Sequence, residues 1–543
     1  MLPDQLAPER IVAEHDRAVP LVVPESREWL SRRPYHRQRI ALILLNLRAC
    51  VTELREAGFE VELLRSDAPM SEAVAAWCAT RADGVLEGWK PAEREMRQEF
   101  AKLESSGRLR WTANPFFLVD RAIFDRSQKE GGPYRMDAFY RAVRQSTGIL
   151  MDLEGRPVGG KYSFDHDNRK PWSGTPPAPI PPRFPRNALR NEVEAEIRER
   201  YSEHPGVLDL EALPATQQEV QALWSWAKRE CLRHFGPFED AMSRESRGLF
   251  HTRIAPALNL GRIHPRQLVD EVAAMDDLPL ASREGFIRQV IGWREFVRHV
   301  HEATDGHRQL RGHAAPIRSR PGDGGFATWS GRPWQAAAPP TGVDGGSDAN
   351  ALAAGHRVPP AFWGTESGLA CLDRVVADVW QEGWSHHITR LMVLGNIATL
   401  LDLSPRDLAD WFWIAYTDAW EWVVEPNVMG MATWGLGGLM TTKPYVAGAA
   451  YLDRMSDYCA DCRFKPKPSA ANACPLTRLY WAFLDRHEPL LRDNHRLGVV
   501  LQAMRKRPED ERHRDRATFV RVQSLLLEGR PLPADVACRE GES

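Results

Sequence analysis

The sequence predicts a two-part chain: a small parallel α/β domain over residues 1–130, and an all-helical domain over 217–543, joined by a connector over 131–216. Three observations carry this. Strand-like and helix-like segments alternate through the first 130 residues, as βα units require. The next stretch is rich in Pro and Arg, with PPAPIPPRFPRN at 176–187. From about residue 217 onward, segment after segment carries apolar residues at the 3.6-residue helical period.

In order, ALILLNLRACVTELREAG (41–58) reads as a helix stopped by Gly58, and FEVELL after it reads as a strand. SEAVAAWCAT reads as a second helix and DGVLEGW as a second strand. The connector reads as a linker running over the surface. The helical part is led by EGFIRQVIGWREFVRHVHE, LDRVVADVWQEGWSHHITRLMVLGNIATLL and LADWFWIAYTDAWEWV. Residues 304–357, rich in Gly, Ala, Pro and Arg, read as a mobile insertion.

Composition narrows the function classes. With 543 residues, 43% hydrophobic and 27% charged, the chain is an ordinary globular protein. No apolar run reaches membrane-spanning length, and MLPDQLAPER lacks the features of a secretory signal, so a cytoplasmic location is expected. A net charge of −2 gives no overall field for nucleic acid, so any DNA contact needs a local basic face. Nineteen Trp against ten Tyr suit a helical core around a bound aromatic group.

Eight cysteines in so long a cytosolic chain are not a disulfide framework. Cys459 and Cys462 form a CxxC pair, Cys474 follows, and Cys371 is the nearest other cysteine in sequence. CxxC puts two thiolates in reach of one metal centre, and its spacing leaves free thiols, structural zinc and iron–sulfur all open. Cys50, Cys78, Cys231 and Cys538 read as plain core or surface residues.

Several blocks taken together carry a resemblance. They are GGKYSFDHDNRKPW (159–172), EGFIRQVIGWREFVR (284–298), GWSHHITRLMVLGN (383–396), DWFWIAYTDAWEWV (410–423), PNVMGM (426–431), TKPYVAG (442–448), MSDYCADCRF (455–464) and ACPLTRLYWAFLDRH (473–487). The chain resembles the iron–sulfur bacterial cryptochromes and photolyases, also called prokaryotic (6-4) photolyases. That resemblance implies a Rossmann-like α/β antenna domain, a long connector and an all-helical FAD-binding photolyase domain. It implies FAD, a [4Fe–4S] cluster on Cys371, Cys459, Cys462 and Cys474, and a 6,7-dimethyl-8-ribityllumazine antenna near Asp4, Glu28 and Ile43. Because the chain opens at Met1-Leu2-Pro3-Asp4-Gln5-Leu6, the first strand is expected to be truncated.

The resemblance also implies site residues. His251, Thr252, Arg253, Arg294, Arg390, Asp418 and Asn427 would contact FAD, and Trp411, Trp363 and Trp420 would carry electrons. His386 and His387 would serve catalysis, with His387 as proton donor because imidazole titrates near neutrality. Met431 and Tyr445 would border the lesion cavity. The implied activity is light-driven repair of (6-4) photoproducts in UV-damaged DNA by a monomeric lyase, with a cryptochrome-like photoreceptor as the alternative. Departures from the family pattern are Ala255 in place of a serine, Phe412 and Trp420 in place of tyrosines, and Val424 where a polar side chain near flavin N5 is usual. Valine neither donates nor accepts a hydrogen bond, so either Glu425 or Asn427 serves there or the N5 chemistry differs.

Overall fold

The computed structural model describes residues 1–81 and 84–537; Cys538 lies outside the described residues. The first long helix forms as the periodicity predicts, over Arg37–Glu56, and Gly58 follows it at φ 90°, a left-handed turn that glycine adopts without penalty. Strand β1 (Leu21–Ser26), which the alternation did not reveal, pairs in parallel with β2 (Val61–Ser66). Strand β3 (Leu86–Trp89) pairs in parallel with β4 (Leu109–Thr112). The Rossmann-like expectation is therefore corrected to two separate two-stranded parallel sheets among the described residues. Residues 1–6 lie between them. The Met1 amino group donates to Val22 O at 2.7 Å and the Gln5 amide donates to Trp89 O at 2.7 Å. One bond to each side, with Pro3 offering no N–H, does not make a ladder.

The connector is not a plain surface linker. Helix Met136–Thr147 buries Phe139, Tyr140 and Val143 in the main core, and helix Ala188–Arg200 buries Val193 and Ile197. What remains is the extended Pro-rich stretch around 149–187, whose side chains are mostly exposed or half-buried.

Residues 304–357 also depart from expectation. Instead of a mobile insertion they form a short hairpin, Gln309–Leu310 with His313–Ala314, and a helical turn, Phe326–Ser330. Phe326, Val343, Ala349, Leu352 and Ala354 are buried. Glycine here serves close approach rather than looseness. Gly324 sits at φ 59°, and a Cβ on it would lie 2.6 Å from Trp411 Cα. A Cβ on Gly346 would lie 2.5 Å from the Arg406 guanidinium. Gly324→Ala is accordingly expected to lower stability by more than the roughly 1–2 kcal/mol of a left-handed alanine alone. Urea denaturation checks this, and an unchanged midpoint would show that the segment is loosely held.

The two parts of the chain are welded by a buried ionic layer. The Glu93 carboxylate accepts from the Glu421 N–H at 3.0 Å, and the Glu421 carboxylate accepts in turn from the Glu95 N–H at 2.7 Å. Arg32 pairs with Glu28, Glu95 and Glu99, and Arg33 pairs with Glu95 at 2.9 Å while lying over Trp413. Arg406 pairs with Glu425 and, at 2.8 Å, with Asp410; Glu425 also meets His301 at 2.9 Å. Charges this deeply buried persist only because each meets several partners. Among the described residues no helix is long and apolar enough to cross a membrane.

Candidate functional site

Three histidines converge. His251 stacks on His386 with ring centroids 4.5 Å apart and planes 9° apart, and His387 stands edge-on to His251 at 5.3 Å. His386 is the N-cap of the short helix His387–Thr389, and the two adjacent rings stand 6.4 Å apart at 73°. Burial, then the neighbouring imidazoles and arginines, push the His251 and His386 pKa values well below the ordinary range, so both are neutral. His251 Nε2 and His386 Nδ1 are buried without a hydrogen-bond partner in the protein. Both nitrogens face the same cluster and could bond a bound molecule or water there. His387 differs: its side chain is 47% exposed, with Nε2 3.9 Å from Asp240.

Beside the histidines Arg390 grips Asp418 in a two-pronged pair, at 3.0 and 2.9 Å, and its Nε donates to Ser385 O. The guanidinium lies over the Tyr416 ring at 4.0 Å, and the Tyr416 hydroxyl bonds Ser385 Oγ at 2.8 Å. Asn259, at the end of the turn Ala255–Asn259, donates to Asp418 O at 2.9 Å and so ties the 251–259 stretch to this pair. Arg253, at φ 55°, reaches Glu382 at 2.8 Å and lies over Trp384; Thr252 is buried beside it. His251, Thr252, Arg253, Arg390 and Asp418 thus fall in one region. Asn259, Ser385 and Tyr416 escaped sequence reading, for only their tertiary partners mark them.

Other expected residues fall elsewhere. Arg294 donates to Phe116 O at 2.7 Å and packs on Phe117 and Trp422; burial brings its pKa down to about 10. Asn427 Nδ2 caps its own helix at Val423 O. Neither touches the Arg390–Asp418 pair. Val424 is buried and Glu425 is committed to Arg406 and His301, so Glu425 is not free to replace the missing polar group. Met431 is half-buried in the helical turn Pro426–Ala432. Burial, and then the Asp165 carboxylate, push the Tyr445 hydroxyl pKa up, and Arg169 lies 3.8 Å from Asp240, the His387 partner.

Trp411 is fully buried and meets Tyr416 at 6.1 Å, which links it to the Arg390 site. It does not contact Trp363 directly. Trp380, unremarked in the sequence, stands between them, 6.1 Å from Trp411 and 4.8 Å from Trp363. Trp420 is corrected out of this row: it packs on Trp29 and under Arg39, toward the α/β part.

The four cysteines come from three separate segments. Cys371 lies in the first turn of helix Ala370–Glu382, Cys459 and Cys462 lie in a turn, and Cys474 caps helix Pro475–Arg486. Burial and then the neighbouring sulfurs push the Cys371 thiol well up; Cys459 and Cys474 rise to about 11 and 12. These mutual effects put the four sulfurs in one neighbourhood. Among the described residues, no three of them converge within 4.8 Å. Sulfurs on a single zinc would stand about 3.8 Å apart, given Zn–S bonds of about 2.3 Å.

The first 212 residues match the model of the deoxyribodipyrimidine photo-lyase-related protein family. A (6-4) photolyase of Agrobacterium fabrum is 29% identical over 494 residues, spanning 89% of this chain and 90% of that protein. The chain is thus similar to photolyase-related proteins over most of its length. The solved structure of a bacterial class III photolyase from Agrobacterium tumefaciens has the same fold as this chain, with TM-score 0.50 and 15% identity over 96% of this chain and 95% of that one. The histidine cluster, the arginine fork and the four cysteines thus sit within a photolyase-like helical fold.

Proposed function

We propose that the chain is a light-driven DNA photolyase, holding FAD and a four-cysteine iron–sulfur cluster, that repairs (6-4) pyrimidine photoproducts. The observation that carries this is the neutral His251–His386 stack beside solvent-open His387 and the Arg390–Asp418 fork. A (6-4) photolyase that aligns with nearly the whole chain supports it. The residues fit FAD: two orphaned buried imidazole nitrogens, a buried guanidinium–carboxylate fork and Arg253 in a strained turn offer both donors and a counter-charge. When bound and reduced, FAD supplies the light-excited electron. His251, Thr252, Arg253, Arg390 and Asp418 would hold it. Arg294 and Asn427, engaged elsewhere, drop out of that set.

Four cysteines gathered from three segments can supply the thiolates an iron–sulfur cluster requires, the reading that the family resemblance favours over zinc. Such a cluster would cross-link three segments of the helical part. The antenna residues do not fit a lumazine. Both Glu28 oxygens are taken by Arg32 and Ile43 is in the core, leaving only Asp4 with an unpartnered oxygen.

His387 acts as proton donor to the lesion base. It alone of the three histidines is open to a nucleotide flipped out of the duplex. The buried His251–His386 stack orients it. The partner is UV-damaged DNA and a monomer suffices.

An absorption spectrum showing flavin bands on an iron–sulfur shoulder, and blue-light repair of (6-4) but not cyclobutane oligonucleotides, test the reading. A coloured protein that repairs neither lesion would overturn it. His387→Ala is expected to slow repair by about 10²–10⁴-fold, the usual worth of a positioned proton donor, with flavin content unchanged. Repair at the native rate would remove His387 from this role.

A further inference from the structure

A further set of ligand-type side chains lies away from the histidine stack and the cysteines, in the buried ionic layer. One donor atom from each of His301, Glu421 and Glu425 lies within 4.8 Å of the other two, and all three residues are buried. They come from the helices Glu295–Ala303 and Glu421–Glu425, which pack on each other. The 304–357 segment closes over them: a Cβ on Gly346 would lie 2.9 Å from Glu425 Oε1.

The charges around this triad do not cancel. Arg406 is shared between Glu425 and Asp410. Arg308 pairs with Asp344 and only reaches Glu421 at 3.9 Å. Arg94, the other cation near Asp344, is engaged by Asp305 at 2.7 Å. Three guanidiniums thus meet five carboxylates, and a protonated His301 would still leave one carboxylate over. The adjoining Arg32 and Arg33 offer no surplus, since Glu28, Glu95 and Glu99 engage them. Glu421 is the least compensated, with Arg308 at that distance from one oxygen and the Glu95 N–H on the other. Buried carboxylates in excess call for a cation.

An independent feature marks the same place. His307, fully buried, stands edge-on to His301 with ring centroids 5.5 Å apart. Burial and then His301 bring its pKa down to about 3, so the ring is neutral, while nearby Glu425 acts in the opposite sense. Its Nδ1 lies 3.1 Å from Thr304 Oγ1, whose own proton goes to Val300 O at 2.8 Å. Nδ1 therefore carries the ring proton, and Nε2 presents a bare lone pair, buried and without a partner among the described residues. A hydrogen bond that fixes the tautomer in this way commonly accompanies imidazoles at metal sites. His301 Nδ1 is likewise buried and unpartnered.

We propose that His301, Glu421 and Glu425 bind one divalent first-row metal ion, with a water on the ion donating to His307 Nε2. The inference does not depend on the photolyase reading. One imidazole and two carboxylates form a mixed nitrogen and oxygen set, which suits manganese or zinc rather than calcium or magnesium. The ion takes the place of the 2.9 Å hydrogen bond between His301 Nε2 and Glu425, and the His301 ring proton moves to Nδ1. It ties the two helices together beneath the 304–357 segment and adds directly to folding free energy.

The test uses full-length holoprotein from cells supplied with manganese or zinc, dialysed against EDTA, with iron counted separately. About one manganese or zinc ion per chain is expected to remain, because every ligand is buried. Glu421→Gln keeps an acceptor for the Glu95 N–H and should bring retention to background with iron unchanged. Thr304→Val removes the acceptor that holds the His307 proton on Nδ1 and should weaken metal affinity by about 10–100-fold. In manganese-loaded wild type, which needs no variant to fold, electron spin echo spectroscopy should show coupling to an imidazole nitrogen. Wild type that holds neither ion, or manganese without that coupling, overturns the proposal and leaves protons to balance the carboxylates. An ion that survives Glu421→Gln but leaves with Cys371→Ser belongs to the cysteines and overturns it equally.

Discussion

Cys371→Ser is expected to lower bound iron to background and to remove the broad visible shoulder beneath the flavin bands. Cys371 is the buried member of the quartet and the only one outside the 459–474 stretch, so it alone ties the helix Ala370–Glu382 to the others. A serine hydroxyl is a poor ligand for iron and would be left buried without a strong partner. Because a structural metal centre contributes folding free energy directly, the variant should also unfold at markedly lower temperature or fail to accumulate soluble. Iron analysis, visible absorption and a thermal melt read the three effects. Should the wild type carry one zinc per chain and no iron, zinc is the resident metal and the iron–sulfur assignment fails.

The second large effect is expected at Glu425→Ala. Arg406, Glu425, His301 and Asp410 are buried together, and Arg406 relies on Glu425 and Asp410 for its charge. Removing one carboxylate leaves a guanidinium half-compensated and His301 without its partner, a change that typically costs about 3–5 kcal/mol. Glu425→Gln, which keeps the volume, should cost less. The same site predicts a pH effect. Burial would raise the Glu425 carboxyl, but Arg406 and His301 outweigh it and hold it well below the usual carboxylate range. A depressed folded pKa means that its stabilisation is present above the ordinary glutamate value and is lost as pH falls below about 5. Wild type should therefore lose stability toward acid more steeply than Glu425→Gln. Parallel acid limbs in chemical denaturation would contradict this.

Much of the architecture was legible because its signals are local. The helical period located Arg37–Glu56 to within a few residues and marked the stretches that hold Ala370–Glu382 and Pro405–Ala415, since one apolar stripe suffices to mark a helix. Gly58 announced a stop for a reason that needs no partner. Low apolar content misled at 304–357. Glycines there read as looseness, yet Gly324, Gly325 and Gly346 are the means by which backbone reaches Trp411, Trp363 and Arg406. Proline misled in the connector, where the helices Met136–Thr147 and Ala188–Arg200 sit on either side of the Pro-rich stretch and bury their apolar faces.

Of the candidate site, the sequence by itself determined the residue types: paired histidines, a CxxC with a third cysteine close by, and arginine and aspartate within motifs that resemble one family. Only the tertiary structure decided which of these meet. Arg390 finds Asp418 across 28 residues, His251 finds His386 across 135, and Trp380 rather than Trp420 bridges Trp411 to Trp363. Arg294 lies in a matching motif and still faces Phe116. The physical reason is range: propensity and periodicity act over a few turns of chain, whereas ring stacking, ion pairing and cavity walls depend on how distant segments cross, which no local pattern encodes.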